Sequence, residues 1–313
     1  MNTRLIWLGR VVVLIIGLAL IGAIYERMAE AVDAKAYPPP GELVDVGGYR
    51  LHINCTGTGS PTVIIVSGLG DWLTSWGGVV QPEVAKTTRV CTYDRAGLGW
   101  SEAAPLPSDA AQFAKELYTL LQNANIPGPY VMVGHSLGGF IVRVFAHDYA
   151  SEVAGVVLID SMNPKQVNQS LSNSLARMFS FQTVLARFGV ARLLVKLPAI
   201  APSVGPNQEA YYPLYIRPQS LQTTANEYKA LPASGAEAAA VKSFGDLPLI
   251  VLTAKLNDNP GWPEWQAELL QLSSNSQHLF ADNSGHTIQL DEPEAAVAAI
   301  IQMVQQVREI GTR

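Results

Sequence analysis

One stretch of the chain carries the residue types and spacing of a serine nucleophile. Tyr130–Gly139 reads YVMVGHSLGG, in which an apolar run leads into Gly-His-Ser-Leu-Gly and then into a helical pattern. This order fits G-x-S-x-G in a strand–turn–helix context, where a sharp turn holds the serine hydroxyl at its tip. Glycines on both sides leave room where such a turn crowds its neighbours. The pattern therefore predicts that Ser136 is a nucleophile.

A serine nucleophile needs a general base, and histidine is the usual one. His286 lies in a loop just beyond a late strand pattern and follows the serine in chain order, as this arrangement requires. The other histidines are His52 and His278 in strand patterns, His135 inside the turn, and His147 after the following helix. We expect His286 to be the base.

Two aspartates are candidates for the acid that orients the base. Asp160 directly follows the apolar run Val156–Ile159, whereas Asp258 follows Leu249–Thr253 inside an Asn/Asp/Pro string typical of turns. Either carboxylate can orient an imidazole and stabilise its protonated form. Asp160 is favoured because it is placed directly at the end of its strand, and Asp258 stays as the alternative.

The same chemistry needs two backbone amides for the oxyanion of the tetrahedral intermediate. One should come from Leu137, the residue after the nucleophile. The other is expected from Leu69, because Gly68 and Gly70 let the backbone of the loop Ser67–Asp71 turn an amide toward the site.

The elements that must position these residues are strands and helices in alternation. Short apolar runs of this kind suit parallel strands buried on both faces, and helical patterns separate them, so the chain predicts βαβ units. Between Ile159 and Leu249 no buried strand appears, and this helical interval is interpreted as an inserted cap. The apolar runs are Val63–Val66, Val90–Tyr93, Tyr130–Val133, Val156–Ile159 and Leu249–Leu252.

The amino-terminal segment is long and apolar enough to cross a membrane. Leu5–Ile24 would span about 30 Å as a helix, roughly the thickness of the hydrocarbon layer. Arg4 and Arg10 at its front keep the amino terminus in the cytoplasm and export the remainder. The alternative is a cleaved signal peptide, since small-residue pairs follow at 29/31 and 34/36. Both interpretations predict an exported catalytic domain.

Composition narrows the class of protein further. The 313 residues are 48% hydrophobic and carry a net charge of −5, which excludes a disordered chain. Without a Lys/Arg block, nucleic acid is not expected as a partner. The two cysteines match no metal or redox pattern, and no cofactor or metal is implied.

Three motifs in these segments resemble the α/β-hydrolase superfamily, from about Gly41 to the carboxyl terminus. They are GHSLGG at 134–139, YDRAGLGWS at 93–101 and SGHTIQLDEP at 284–293. The resemblance implies an eight-stranded, mostly parallel sheet with a helical cap after strand six. It also implies that Asp94, inside the second motif, is structural.

This resemblance divides the chain into four segments. We expect an anchor or signal segment with its linker at 1–36, the first part of the hydrolase core at 37–160, the cap at 161–247 and the second part of the core at 248–313. The family's sheet order would make the strands of Cys55 and Cys91 neighbours. In an exported domain, the pair is then expected to form a disulfide.

The family also bears on the reaction. Haloalkane dehalogenases and some epoxide hydrolases carry their acid where Asp160 stands, and most esterases carry it near Asp258. The dehalogenases use an aspartate nucleophile, so Ser136 disfavours dehalogenation and epoxide opening. The family's usual His-Gly before the oxyanion loop is Ser67-Gly68 here.

The expected activity is hydrolysis of carboxylic esters through an acyl-enzyme intermediate, with a small apolar ester as the substrate. An amidase or proline-type peptidase on the same residues, or a non-catalytic ligand-sensing module, are the alternatives. The apolar cap residues suggest a pocket for an acyl or alcohol group, and a packed cap without a pocket is the alternative; they include Met178, Phe179, Phe181, Trp262 and the pair Tyr211/Tyr212. The catalytic domain is expected outside the cytoplasm, held at the membrane by the amino-terminal helix or released after signal cleavage.

Overall fold

The computed structural model describes residues 3–105, 109–195 and 211–311. Eight strands form one sheet in the order β1-β2-β4-β3-β5-β6-β7-β8, antiparallel from β1 to β4 and parallel from there on. The expected eight-stranded, mostly parallel sheet is confirmed. The strands are β1 Glu42–Asp45, β2 Arg50–Thr56, β3 Thr62–Val66, β4 Val90–Tyr93, β5 Tyr130–His135, β6 Val153–Ile159, β7 Leu249–Ala254 and β8 Ser276–Ala281.

Helices precede, separate and cap these strands. The α-helices of the described residues are α1 Thr3–Ala36, α2 Val80–Ala85, α3 Ala110–Asn123, α4 Leu137–Asp148, α5 Gln169–Ala186, α6 Val190–Leu194, α7 Tyr212–Tyr215, α8 Pro218–Ala240, α9 Trp262–Leu269, α10 Ile288–Asp291 and α11 Pro293–Gly311. Short 3₁₀ turns occur at Leu73–Ser75, Ala150–Glu152, Pro164–Gln166 and Leu270–Leu272.

The central strands of the sheet are apolar on both faces, and helices therefore pack against both faces. Every residue of β3, β4, β5 and β7 is buried. Helices α3 and α4 cover one face of the sheet, and α2 and α11 cover the other. Burial of each Val, Leu or Ile side chain contributes about 1.5–3 kcal/mol, so these runs form the core that holds the site rigid.

The carboxyl ends of the parallel strands meet at one edge of the sheet, where the candidate site residues gather. Ser136 follows β5, Asp160 follows β6, and His286 lies in the loop after β8. Helices α5 to α8, inserted between β6 and β7, form the cap over this edge. Among the helices of the described residues, α1 alone is long and apolar enough to cross a membrane.

The antiparallel pair β2 and β4 carries the two cysteines opposite each other. Cys55 pairs in register with Cys91, and the two are joined by a disulfide. The expected neighbouring strands and the bridge are both present. The bond ties the first antiparallel hairpin of the sheet to its parallel part.

We expect mass spectrometry of the unreduced protein, purified from its native compartment, to show a peptide pair cross-linked through Cys55 and Cys91. The reason is geometric, since directly opposed residues of an antiparallel pair lie within disulfide reach. Reduction before digestion is the control and should release the two peptides. Quantitative alkylation of both thiols without reductant would contradict this expectation.

Candidate active site

The turn between β5 and α4 holds Ser136 in an unusual backbone conformation. Its φ is 52° and its ψ is −120°, a region that costs a non-glycine residue free energy and persists only when the surroundings enforce it. A side chain at Gly138 would overlap the carbonyl oxygen of Val66, and one at Gly134 would lie 2.7 Å from the Gly138 carbonyl oxygen. Both glycines are therefore required by the close approach of the backbone.

Ser136, His286 and Asp160 form a continuous hydrogen-bonded chain. The His286 Nε2 lies 3.0 Å from the Ser136 Oγ, and the His286 Nδ1 lies 2.7 Å from the Asp160 Oδ2. Because an ionised carboxylate only accepts, Nδ1 carries the imidazole proton and Nε2 is left to accept from the serine hydroxyl. This arrangement can take a proton from Ser136 as its oxygen attacks an electrophile.

The carboxylate of Asp160 is fully buried and accepts hydrogen bonds from three further groups. The Ala254 amide and the Trp262 indole N–H donate to Oδ1 at 3.0 and 2.8 Å, and the Asn257 amide donates to Oδ2 at 2.8 Å. Burial of a charged group is costly unless such donors are present. They hold the carboxylate in one orientation toward His286.

Asp258, the alternative acid, is not brought to the imidazole. Its side chain is exposed on the loop after β7, and it is the preceding residue, Asn257, that reaches the site. The Asn/Asp string in this loop therefore supplies an amide donor to Asp160. Nothing in the residue types of the string distinguishes these two roles, which depend on which side chain faces inward.

Trp262 has a different place from the one expected. Its side chain is buried, its indole donates to Asp160, and its ring meets the His286 ring edge-on at 5.5 Å. The sequence suggested a pocket role for Trp262 because only its apolar ring was apparent there. Its hydrogen-bond partner, Asp160, is distant along the chain, so this contact could not be anticipated.

His135, the variable residue of the turn, positions the backbone of His286. Its Nε2 donates to the His286 carbonyl oxygen at 2.9 Å. Burial, and secondly the nearby charge of His286, lowers the pKa of His135 to about 3, so it is neutral at physiological pH. A neutral donor here orients the His286 loop without adding a second positive charge beside the imidazole.

The two segments expected to supply oxyanion amides flank Ser136. Leu137 begins α4, where the first N–H groups of a helix lack intrahelical partners. On the other side, a side chain at Gly68 would lie 3.2 Å from the Ser136 Cβ, so the loop that carries Leu69 passes directly beside the serine.

A buried ion pair, which we call the Arg95–Glu227 clamp, fixes this loop from behind. The Arg95 guanidinium donates to the carbonyl oxygens of Ser67 and Gly68 at 2.7 and 2.6 Å, and its Nε donates to the Glu227 Oε1 at 2.7 Å. The Glu227 Oε2 accepts from the Gly70 amide at 2.7 Å. The peptide groups on both sides of Leu69 are thus held, and one holder belongs to cap helix α8.

Sequence reasoning missed both residues of the clamp. Arg95 lies in the YDRAGLGWS segment, which was interpreted only as a structural turn, and Glu227 lies in a polar stretch of the cap. Asp94 of the same segment pairs with the buried His52 at 2.8 Å and accepts from the Leu73 amide at 3.0 Å, away from the hydrogen-bonded chain of Ser136.

Comparison with known proteins identifies the family of this chain. A family model described as the alpha/beta hydrolase fold matches residues 61–293. The chain belongs to this family. It is also 26% identical over 298 residues to an uncharacterized protein of Schizosaccharomyces pombe, an alignment that covers 82% of this chain and 54% of that protein. The chain therefore spans about half the length of that relative.

Solved structures share the fold of this chain. A thermophilic esterase from Thermogutta terrifontis superposes with a TM-score of 0.67 at 20% identity, covering 85% of this chain and 98% of the esterase. The epoxide hydrolase CorEH superposes with a TM-score of 0.66 at 18% identity, covering 85% of this chain and 98% of that chain. At such identities the likeness extends to the fold and leaves the substrate open.

A largely apolar cavity of about 470 Å³ lies between the cap and the core. Leu69 and Gly70 form part of its wall, so the cavity adjoins the loop that passes beside Ser136. Of the expected pocket residues, Phe179 and Tyr212 line it, whereas Met178 and Phe181 are exposed on the outer side of the cap. Tyr211 packs against Trp72 instead, with ring centroids 6.3 Å apart.

Among the described residues, no three His, Cys, Asp or Glu side chains come together as a metal site.

We expect Asp160→Asn to lower kcat/KM for an ester by about 10³–10⁴-fold and Asp258→Asn to change it less than about twofold. The side-chain amide of the introduced asparagine donates hydrogen bonds as well as accepting them. It therefore disturbs the tautomer and orientation of His286. Steady-state kinetics with thermal unfolding of both variants separates catalysis from folding. The reverse ranking in two folded variants would move the acid to the loop after β7.

We expect Glu227→Gln to lower kcat by about tenfold or more with little change in KM, because a slight misplacement of a catalytic group has large effects on rate. Arg95→Lys should act likewise, since a lysine ammonium cannot reproduce the fork of the guanidinium.

Glu237→Gln is the matched control for the clamp. Glu237 lies on the same helix but accepts from the Ala111 amide at 2.9 Å, away from the oxyanion loop. Its variant should keep kcat within about twofold. A folded Glu227→Gln protein with the kcat of the parent would refute the positioning role.

Proposed function

We propose that this α/β-hydrolase is a membrane-anchored serine esterase that cleaves carboxylic esters bearing an apolar group. The hydrogen-bonded chain from Ser136 through His286 to Asp160 is the observation that carries the proposal. Its distances of 3.0 and 2.7 Å are within the range needed for proton transfer and for orienting the base.

The proposed reaction has two halves. The Ser136 oxygen attacks the ester carbonyl while His286 takes the hydroxyl proton, and the amides of Leu69 and Leu137 stabilise the oxyanion. Collapse of this intermediate breaks the bond to the alcohol, which leaves with the proton returned by His286. Water, deprotonated by His286, then attacks the acyl-enzyme, and the carboxylic acid is released as Ser136 regains its proton.

The wall of the cavity favours an ester with an apolar acyl or alcohol group. Aromatic and aliphatic side chains of the cap line most of it, and among the described residues that form it there is no Lys or Arg. Burial of a hydrocarbon chain there contributes about 0.8 kcal/mol per CH₂ group. A strongly charged substrate would lose its hydration without gaining a counter-charge.

Contacts between α1 and the cap support an uncleaved anchor over a cleaved signal. The buried Arg192 guanidinium of α6 pairs with Glu26 at 2.8 Å and with Asp33 at 2.7 Å. Cleavage after residue 31 would remove Glu26, and cleavage after residue 36 would remove both partners. Leaving a buried charge without its partner costs about 3–5 kcal/mol, so the mature domain is more stable with α1 retained.

Labelling with a fluorophosphonate probe, together with turnover of p-nitrophenyl esters, tests the proposed activity. We expect the full-length protein to react, and Ser136→Ala and His286→Ala to lose turnover by at least about 10³-fold while staying folded. The exposed residues Ser174 and His147 provide matched controls, as Ser174→Ala and His147→Ala. Labelling that persists in Ser136→Ala would overturn the assignment, and tight ester binding without turnover would favour a sensing module.

A further inference from the structure

The outer face of the cap carries exposed apolar side chains in a stripe. Phe181 is 63% exposed and Leu193 is 59% exposed, although both are large hydrocarbon groups. Spacings of seven and three residues place the members that lie in α5 on one side of that helix. The cap stripe consists of Leu171, Met178, Phe181, Val184, Phe188 and Leu193.

Side chains that adjoin the cap stripe on the same helix face the cavity. Phe179, Gln182 and Leu185 of α5 line the cavity, and the Phe179 ring stacks on Tyr228 of α8 with centroids 5.4 Å apart. Gln182 and Leu185 lie four and seven residues after Met178, so the cavity-lining side chains of α5 border the cap stripe. The cap stripe therefore runs along the edge of the cavity.

The cap stripe is continuous with the amino-terminal helix α1. A side chain at Gly22 would overlap the carbonyl oxygen of Phe188, and one at Gly189 would lie 2.6 Å from the Tyr25 ring. Close backbone packing and the Arg192 ion pairs thus fasten the turn after α5 and the middle of α6 to α1.

The position of this contact along α1 determines how deep the contact would lie in a bilayer. The apolar run of α1 ends at Ile24, directly beside Gly22 and Tyr25. If this run crosses the hydrocarbon layer of about 30 Å, its end lies at the boundary with the headgroups. Phe188 then lies at that boundary, where apolar side chains of an interfacial helix are stable.

We propose that the cap stripe docks on the lipid bilayer that holds α1, and that the apolar chain of the substrate enters the cavity from that bilayer. The inference rests on the proposed function for the anchor and for the esterase site. Continuity with α1 identifies lipid as the occupant. The exposed Arg177, on the same side of α5 as the stripe, adds a cation that suits an anionic lipid surface.

Docking is tested in the full-length Ser136→Ala protein, reconstituted in vesicles of phosphatidylcholine and phosphatidylglycerol. A cysteine introduced as Phe181→Cys is labelled with an environment-sensitive fluorophore, because the native cysteines are joined in a disulfide and do not react. Ile310→Cys is the matched control. It is 52% exposed, near Arg308, which contacts Ser60 at the opposite end of the sheet.

We expect lipids with nitroxide-labelled chains to quench the probe at position 181 at least about threefold more than the probe at 310. Iodide in the buffer should show the reverse order. Equal quenching by iodide at both positions would overturn docking. Protection that appears only at high protein-to-lipid ratio would assign the cap stripe to a second copy, and would overturn it as well. The variant does not turn over, so these results are independent of the proposed activity.

Entry of substrate from the bilayer is tested with a Phe181→Asp, Val184→Asp double variant that is otherwise wild type. Neither residue lines the cavity. We expect hydrolysis of a soluble short-chain ester to stay within about twofold of the parent, and hydrolysis of a long-chain ester dissolved in the vesicles to fall at least about tenfold. Equal rates on both esters would overturn this route. Failure of the parent itself to hydrolyse any ester would instead overturn the proposed function, while the fluorescence result still stands for docking.

Discussion

The candidate site depends on one buried carboxylate, that of Asp160. A carboxylate removed from water is stable only when hydrogen-bond donors replace its hydration, and here the donors come from β7, the loop after it, helix α9 and the His286 loop. These segments follow the cap in the chain, whereas Asp160 precedes it. The same four hydrogen bonds therefore join the two parts of the core across a long insertion and orient the imidazole toward Ser136.

A second buried charge connects the core with the cap. The Arg95–Glu227 clamp has both side chains almost fully buried, and its geometry satisfies the pair with backbone groups of the oxyanion loop. A buried ion pair contributes little net stability once its desolvation is counted, but removal of one partner is strongly destabilising. The clamp is therefore better understood as a constraint on geometry. It makes the orientation of the Leu69 amide depend on the docking of cap helix α8.

The cap has two sets of apolar side chains with different surroundings. One set on α5 lines the cavity, and the adjoining cap stripe continues toward α1. The hydrophobic effect explains the first set, because the fold shields its residues from water. The cap stripe is exposed in the part of the chain that the structure describes. The proposed bilayer contact would shield it and would shorten the path of an apolar substrate to Ser136.

Patterns formed by residues close together in the sequence were sufficient to predict the fold. The apolar runs, the alternation with helices and the motifs of the three hydrolase segments predicted the sheet, the inserted cap and the amino-terminal apolar helix. They also singled out Ser136 and His286 as candidates, because the turn and the loop that carry them have local residue requirements. The strand order implied by the family resemblance then predicted that Cys55 and Cys91 lie on neighbouring strands.

The tertiary structure alone decided which aspartate meets His286. Asp160 and Asp258 both follow strands, and local residue types cannot reveal which side chain turns inward when the strand ends meet. The same holds for Asn257, Trp262 and Glu227, whose partners are more than ninety residues away in the chain. Helical periodicity similarly groups the residues of α5 without saying which of them line the cavity. Such choices depend on contacts between distant segments, and these exist only once the segments have packed together.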